Sequence, residues 1–363
     1  MSKVFVVAGE TSGDLVGSWF VRNKMSNMLP DVTHIEGVGG EALAAAGVKL
    51  YRSYSDLNLV GLFEIIKKLP EIFRIMRELT EYIIAENFTH VVFVDFPGFN
   101  LRLAKRLKLC NPAIKIIYLS PPQLWCWGLW KLKALQTVSD ELVVLFPFEV
   151  MWYKQHGMTV QYLGNPVFDR LLPAMHQPHE QLFRLGVFPG SRQQEVELFV
   201  PVLSEVIAQL VKQFPTLEIM VFEAPHINKQ LLAPLLAVAP GQVKLVPPAN
   251  RVAMMQSCVV ALTKAGTVTL ELGLLRVPTV IFYKAHWLTY WFAKKLVSID
   301  RMGLPNIIAK QDLMPEFIQQ DCTPINLVAA VNGVLALWQK NGIAYLQERE
   351  KFIVLQRLFS QTT

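Results

Sequence analysis

Residues 259–283 restrict the possible fold more than any other stretch of the chain. Val259-Val-Ala-Leu262 is a short apolar run, Thr263-Lys-Ala-Gly266 reads as a turn, and Thr267 opens a helical run to Leu275. Arg276-Val-Pro278 ends that run, and Thr279-Val-Ile-Phe-Tyr283 reads as a second buried strand. Strand, glycine turn, helix and strand is the repeating unit of a parallel sheet, whose neighbouring strands are joined only by crossovers. Gly266 lets backbone approach a ligand closely, and the unpaired N–H groups of the following helix start favour a phosphate. Glu271 lies one turn beyond Thr267, where its carboxylate can accept from ribose hydroxyls. An ordinary turn, with Thr267 as cap and Glu271 facing the helix dipole, accounts for the same residues.

The plan recurs along the chain. Val4–Ala8 is a strand that empties into Gly9-Glu-Thr-Ser-Gly-Asp14, ahead of a helical run from about Leu15 to Met28. This loop lacks the dinucleotide fingerprint. Glu10 and Asp14 act on a substrate or cap the helix. Ile35–Gly40 is a second strand and turn. His90-Val-Val-Phe-Val-Asp95 places a carboxylate at the carboxyl edge of the sheet, so Asp95 is a candidate general base or a turn-stabilising Asp. Pro97-Gly98 turns the chain, and Asn100 starts a basic helix. Ile114–Leu119 delivers Ser120-Pro-Pro-Gln-Leu-Trp-Cys-Trp127, whose tryptophans line a pocket or fill a hydrophobic corner. Leu142–Leu145 completes the first set of strands.

In the second half Leu185–Phe188 leads into Pro189-Gly-Ser-Arg192, where Gly190 and Ser191 offer backbone room and a hydroxyl. Arg192 offers a fixed fork for phosphate. Leu217–Phe222 and Val243–Val246 are further strands, and Leu304–Ile307 is expected as a short extended element with Asn306 facing a ligand. Both halves therefore read as βαβα runs, which makes two doubly wound α/β domains in series, joined near Gln161–Pro166.

At 363 residues, the chain has room for two cores. Its apolar fraction of 52% is high, yet no run is long enough to span a bilayer, and the first apolar run is too short for a signal peptide. Four scattered cysteines suggest neither a disulfide frame nor a zinc site, which fits a reducing cytoplasm. Pro178 between His176 and His179 argues against a metal site there. A net charge of +6 points to an anionic partner, and the lack of a nucleic-acid motif leaves a membrane surface or a phosphorylated substrate. Within 57–82, Leu62, Ile65, Ile66, Leu69, Phe73 and Met76 form a core-facing stripe. Leu59, Val60, Phe63 and Ile75 lie outside it, beside Lys67, Lys68, Arg74 and Arg77, as in an interfacial or a doubly buried helix. An aromatic, basic patch runs from His286 to Lys295, and 346–359 reads as an amphipathic helix.

Taken together, the motifs resemble the lipid-A-disaccharide synthase family of bacterial glycosyltransferases. The matching pieces are Ala8–Asp14, Gly37–Gly40, Asp95–Asn100, Ser120-Pro121 with Trp125 and Trp127, Leu145–Glu149 and Gly164–Pro166. Then come Pro189–Arg192, Gly266-Thr267 with Leu270-Glu271, Tyr283-Lys284, Leu304–Asn306, and Glu316 with Gln319. The chain departs from the pattern at Gly98, where many members have Asp, at Asn165, where His is usual, and at Lys264-Ala265 before Gly266.

The resemblance implies a GT-B fold: two Rossmann-like doubly wound domains facing a cleft, with a C-terminal helix returning to the first domain. The expected boundaries are an acceptor- and lipid-binding domain over 1–165 with helix 343–363, and a UDP-sugar domain over 166–342. UDP-2,3-diacylglucosamine would give its sugar, with inversion, to 2,3-diacylglucosamine 1-phosphate (lipid X), at the cytoplasmic face of the inner membrane. An anionic membrane surface and a second copy of the chain are further partners; no nucleic acid, metal or cofactor is expected. Asp95 is the first choice of base and Glu10 the second. The helix starts after Arg192 and Gly266, with Arg192 itself, would take the leaving-group charge. Gly13, Asp14, Asn100, Ser120, Gly190, Ser191 and Thr267 are further substrate contacts; Glu271 would hold ribose, with Asn306 and Gln319 as donor-site contacts. The alternatives are another UDP-sugar transferase or epimerase, or a membrane-associated relative that has lost catalysis.

Overall fold

The computed structural model describes residues 2–57, 62–177, 179–225, 227–285 and 300–360. The chain divides into two compact units, Met1–Pro166 and Val167–Gln361. The first unit is built on strands β1 (Ser2–Ala8), β2 (Val32–Gly39), β3 (Lys49–Ser53), β4 (His90–Val94), β5 (Lys115–Leu119), β6 (Glu141–Val144) and β7 (Gln161–Tyr162). They lie in the order β3-β2-β1-β4-β5-β6-β7, with every pairing parallel. The second unit holds β8 (Leu182–Phe188), β9 (Glu218–Phe222), β10 (Val243–Val246), β11 (Cys258–Lys264), β12 (Thr279–Tyr283) and β13 (Glu316–Ile318). Their order is β10-β9-β8-β11-β12-β13, again all parallel.

Each sheet reverses strand order once, between β1 and β4 in the first unit and between β8 and β11 in the second. Chain leaving two such neighbours departs toward opposite faces, so a crevice opens at their carboxyl ends. β1 shows why these strands read as continuous apolar runs. Its alternate side chains feed different cores: Phe5 and Val7 join the cluster of Leu79, Phe93 and Leu103, whereas Val4, Val6 and Ala8 join that of Phe20 and Leu43.

The helix Leu62–Ala85 carries Pro70 within it and buries Ile72, Ile75, Met76, Leu79 and Ile83, a stripe at helical spacing. Phe73, expected on that stripe, is 54% exposed, and Ile75, expected outside it, is buried. The buried face therefore keeps Met76 of the expected stripe and takes Ile75 in place of Phe73. Leu59 and Val60, the side chains of 62–69, and the 286–295 patch lie outside the described residues. Three more expectations change. Leu304–Ala309 is a helix rather than extended, with Pro305 in its first turn, where proline costs no hydrogen bond. The helix after β1 begins at Thr11, so Gly13 and Asp14 are helical rather than in a loop. The tail is two helices, Gly342–Glu350 and Ile353–Ser360. Leu355 lies against Gly273, Gln356 donates to the Leu274 carbonyl at 2.7 Å, and Phe359 stacks on Phe168. These contacts tie the tail to Gly273, Leu274 and Phe168.

Candidate active site

In the first unit the chain leaves β4 and β5 in an unusual backbone conformation. Asp95, Phe96 and Ser120 have φ of 47°, 48° and 53°, the left-handed region that non-glycine residues rarely adopt. The Asp95 carbonyl is fixed by two donors, Asn100 Nδ2 at 2.8 Å and the Tyr118 hydroxyl at 2.9 Å. Asn100 also donates to the Val94 carbonyl at 3.2 Å. Phe96 folds back over Gly9 so closely that a Cβ there would lie 2.3 Å from its ring, which makes glycine obligatory. The result is a cavity of about 270 Å³ lined by Asp95, Ser120, Gln123, Trp127 and Lys131, with prolines 97, 121 and 122 and Leu124. Burial, and secondarily the negative charge of Glu10, raises the Asp95 carboxyl from 3.8 to about 6, against a hydrogen bond from the Phe96 backbone. At neutral pH Asp95 is ionised yet basic enough to take a proton, as a general base requires.

The other sequence candidates in this unit are distributed around that cavity. Ser120 lines it. Glu10 is exposed at the start of the Thr11–Asn23 helix, accepts from the Ser12 hydroxyl at 2.6 Å, and acts on Asp95 through its charge. Asn100 is fully buried, with Nδ2 donating to the Val94 and Asp95 carbonyls and Oδ1 left without a hydrogen-bond donor. Gly13 is buried within 3.6 Å of the Val94 carbonyl and Ala8, by the position its Cβ would take, and serves packing. Asp14 does not cap its own helix. Its carboxylate accepts from the backbone N–H groups of Gly40, Ala42 and Leu43 at 2.7, 3.0 and 3.2 Å, tying the turn after β2 to the helix that follows β1. Asp14→Ala would strand these donors, so chemical denaturation should show a loss of about 2–4 kcal/mol, as for buried charge-assisted hydrogen bonds. The tryptophans divide between the two readings. Trp125 fills a corner, its indole N–H donating 2.9 Å to buried Glu149, while Trp127 faces the cavity and is 47% exposed.

In the second unit the turns after β8 and β11 flank the reversal point. Gly190 has φ 138° and its Cβ would come within 3.2 Å of Glu195, so this turn needs glycine. Arg192 precedes the helix Gln193–Gln213 with a side chain 81% exposed. Glu195, in the first turn of that helix, gathers both loops. Its carboxylate takes Lys264 Nζ at 2.9 Å, and Arg192 Nη1 and the Ser191 N–H each at 3.4 Å. Lys264 also lies 5.5 Å from the Tyr283 ring centroid. Gly266 is extended, and a Cβ there would meet nothing within 4 Å. Neither strain nor packing demands glycine, which leaves open space in front of the Thr267–Leu274 helix start, with Thr267 exposed beside it.

Glu271 is 8% exposed and doubly paired, to Arg170 Nη2 at 2.6 Å and Arg251 Nε at 3.3 Å. Asn306 is spent internally: Nδ2 donates to the Met314 carbonyl and to Glu316, both at 2.7 Å, and Oδ1 accepts from Met314 N–H at 2.9 Å. No donor of its amide is left for a nucleotide. Gln319 likewise exchanges two hydrogen bonds with the Ala285 backbone, at 2.6 and 3.1 Å. Sequence reasoning assigned no role to Glu195, Arg170 or Arg251. The position of Glu195 three residues after Arg192, on the same helix face, was a usable signal. The pairing of Arg170 with a residue 101 positions away offered none.

Two parallel sheets of Rossmann strand order, each with its glycine turns at the reversal point, define a protein of the GT-B class. Solved structures agree. A UDP-GlcNAc 2-epimerase from Neisseria meningitidis bound to UDP-GlcNAc aligns with TM-score 0.61 at 12% identity, covering 96% of this chain and 94% of that one. The kitacinnamycin glycotransferase aligns with TM-score 0.60 at 13% identity, covering 99% of each. The chain belongs to the lipid-A-disaccharide synthetase family, which matches it over residues 4–360. Among relatives, the lipid-A-disaccharide synthase of Geobacter sulfurreducens is 32% identical across 99% of this chain and 98% of its own length. That of Coxiella burnetii (strain RSA 331) is 31% identical across 88% and 85%.

Proposed function

We propose that the protein transfers the sugar of UDP-2,3-diacylglucosamine to lipid X, releasing UDP and forming the β-1′,6-linked lipid A disaccharide 1-phosphate. Family membership supports the reaction, and the buried, basic Asp95 carboxylate in the first-unit cavity is the observation that carries the mechanism. The 6-hydroxyl oxygen of lipid X attacks the donor C1, and its proton passes to Asp95. The C1–oxygen bond to diphosphate breaks, and the electron pair leaves with UDP. Arg192, Lys264 and the N–H groups at the starts of helices Gln193–Gln213 and Thr267–Leu274 stabilise that charge. Glu271, oriented by Arg170 and Arg251, accepts from the ribose hydroxyls through its remaining lone pairs.

A net charge of +6 supports a peripheral place on the anionic cytoplasmic face of the inner membrane. Among the described residues no helix is long and apolar enough to cross a membrane. The likeness to UDP-GlcNAc 2-epimerases favours epimerisation as the second reading. Incubating the protein with radiolabelled donor and lipid X, with and without chelator, separates the two. Labelled disaccharide and stoichiometric UDP in both samples is the expected outcome. Conversion of UDP-GlcNAc alone, or lipid binding with no UDP release, would replace this proposal.

A further inference from the structure

The first-unit cavity contains more than a base. Of the residues lining it, only Asp95 and Lys131 carry charge. Lys131 Nζ sits 4.7 Å from the centroid of the Trp127 ring, and Trp127 is braced edge-on by Trp130 at 5.9 Å and 77°. The turn that brings these side chains together is locally determined. Gly128 has φ 83°, a left-handed position suited to glycine, and its carbonyl accepts from the Lys131 N–H at 2.8 Å. Among the described residues no acidic side chain pairs with Lys131, whereas Lys108 and Lys264 pair with Asp140 and Glu195. An ammonium resting on an indole keeps its N–H donors for an anion.

We propose that the Trp127–Lys131 wall of this cavity is a subsite for a phosphorylated monosaccharide headgroup, with the Lys131 ammonium on its phosphate and the Trp127 indole against its ring. This rests on the transferase reading above and names how the acceptor is chosen. The lining sorts by chemistry: a carboxylate for the reacting hydroxyl, Ser120 and Gln123 for ring hydroxyls, a flat apolar face for the pyranose, and a cation for phosphate. A volume of about 270 Å³ is below the roughly 300–1,000 Å³ of whole-ligand pockets. It holds a headgroup and leaves the fatty chains outside. Leu129 and Trp130, 50% and 63% exposed, provide apolar surface beside it.

The test compares lipid X with its dephosphorylated counterpart, each against saturating donor. Lys131→Ala should raise KM for lipid X about 10- to 100-fold, as expected for loss of a charge-assisted contact. It should leave donor KM unchanged and abolish the preference for the phosphorylated acceptor. Trp127→Ala should weaken both acceptors alike, and Lys133→Ala, exposed and outside the lining, should change neither. An undiminished phosphate preference in Lys131→Ala overturns the subsite while leaving the transferase reading intact. If the wild-type protein gives no transfer, that reading fails, and calorimetric binding of the two acceptors in detergent decides the subsite by the same ratio.

Discussion

Asp95→Asn should lower turnover by about 10²–10⁴, the range for a lost general base, with donor KM little changed. The same substitution should make the protein more stable at neutral pH. A carboxyl raised from 3.8 to about 6 by burial binds more protons folded than unfolded between those values. Stability therefore falls as pH climbs through that window, and the cost persists at neutral pH. At roughly 1.4 kcal/mol per pH unit, ionising Asp95 costs up to about 3 kcal/mol, which the neutral amide avoids. Rate and stability thus move in opposite directions, and no general damage to the fold would produce that pair. Turnover of the unmodified protein should rise with pH through about 6 as Asp95 loses its proton. Glu10→Gln should move this limb to lower pH, because the Glu10 charge is part of what raises Asp95. Near-normal turnover in Asp95→Asn, or a rate flat across that pH range, would remove Asp95 from the reaction.

The second large effect is expected at Arg192. Its side chain is 81% exposed with one long contact to Glu195 at 3.4 Å, so it is free to swing onto a diphosphate. Arg192→Ala should cost about 10²–10³ in kcat/KM for the donor, as for removal of one preorganised charge from a leaving-group site. Arg192→Lys should recover only part, because a point charge cannot grip two phosphate oxygens in parallel. Product inhibition by UDP should weaken in the same order. Lys264→Ala should cost less, since Lys264 is already paired at 2.9 Å. Equal UDP inhibition in the Arg192 variants would move the diphosphate elsewhere.

Most of the architecture was legible because parallel strands are buried on both faces and so read as unbroken apolar runs. Val4–Ala8, His90–Val94 and Thr279–Tyr283 are of this kind. The strands that escaped notice lie at sheet edges. Lys49-Leu-Tyr-Arg-Ser53 and Gln161-Tyr162 carry the polar character of edge strands and have no apolar run to show. The glycine turns after β8 and β11 stand where the sequence pattern put them, whereas the hydrogen-bond partners of the buried polar side chains were not legible. A buried Asp or Asn looks the same in sequence whether its partner is a ligand or backbone. Asp14 accepts from the Gly40 N–H, and Asn306 donates to the Met314 carbonyl and to Glu316, partners that no local pattern announces. The left-handed pair Asp95-Phe96 was equally hidden, since the donors that impose it come from Asn100 and from Tyr118 on the next strand.

Glu195 has a further consequence. Its carboxylate engages Lys264, Arg192 and the Ser191 amide, much as a resident counterion would. A diphosphate bound here as proposed would compete with it, which would weaken ground-state affinity for donor and product alike. On the proposed donor site, the carboxylate would take the cations back as UDP leaves, so that their charges stay compensated. This exchange of partners on the proposed site would favour quick release of UDP over tight holding.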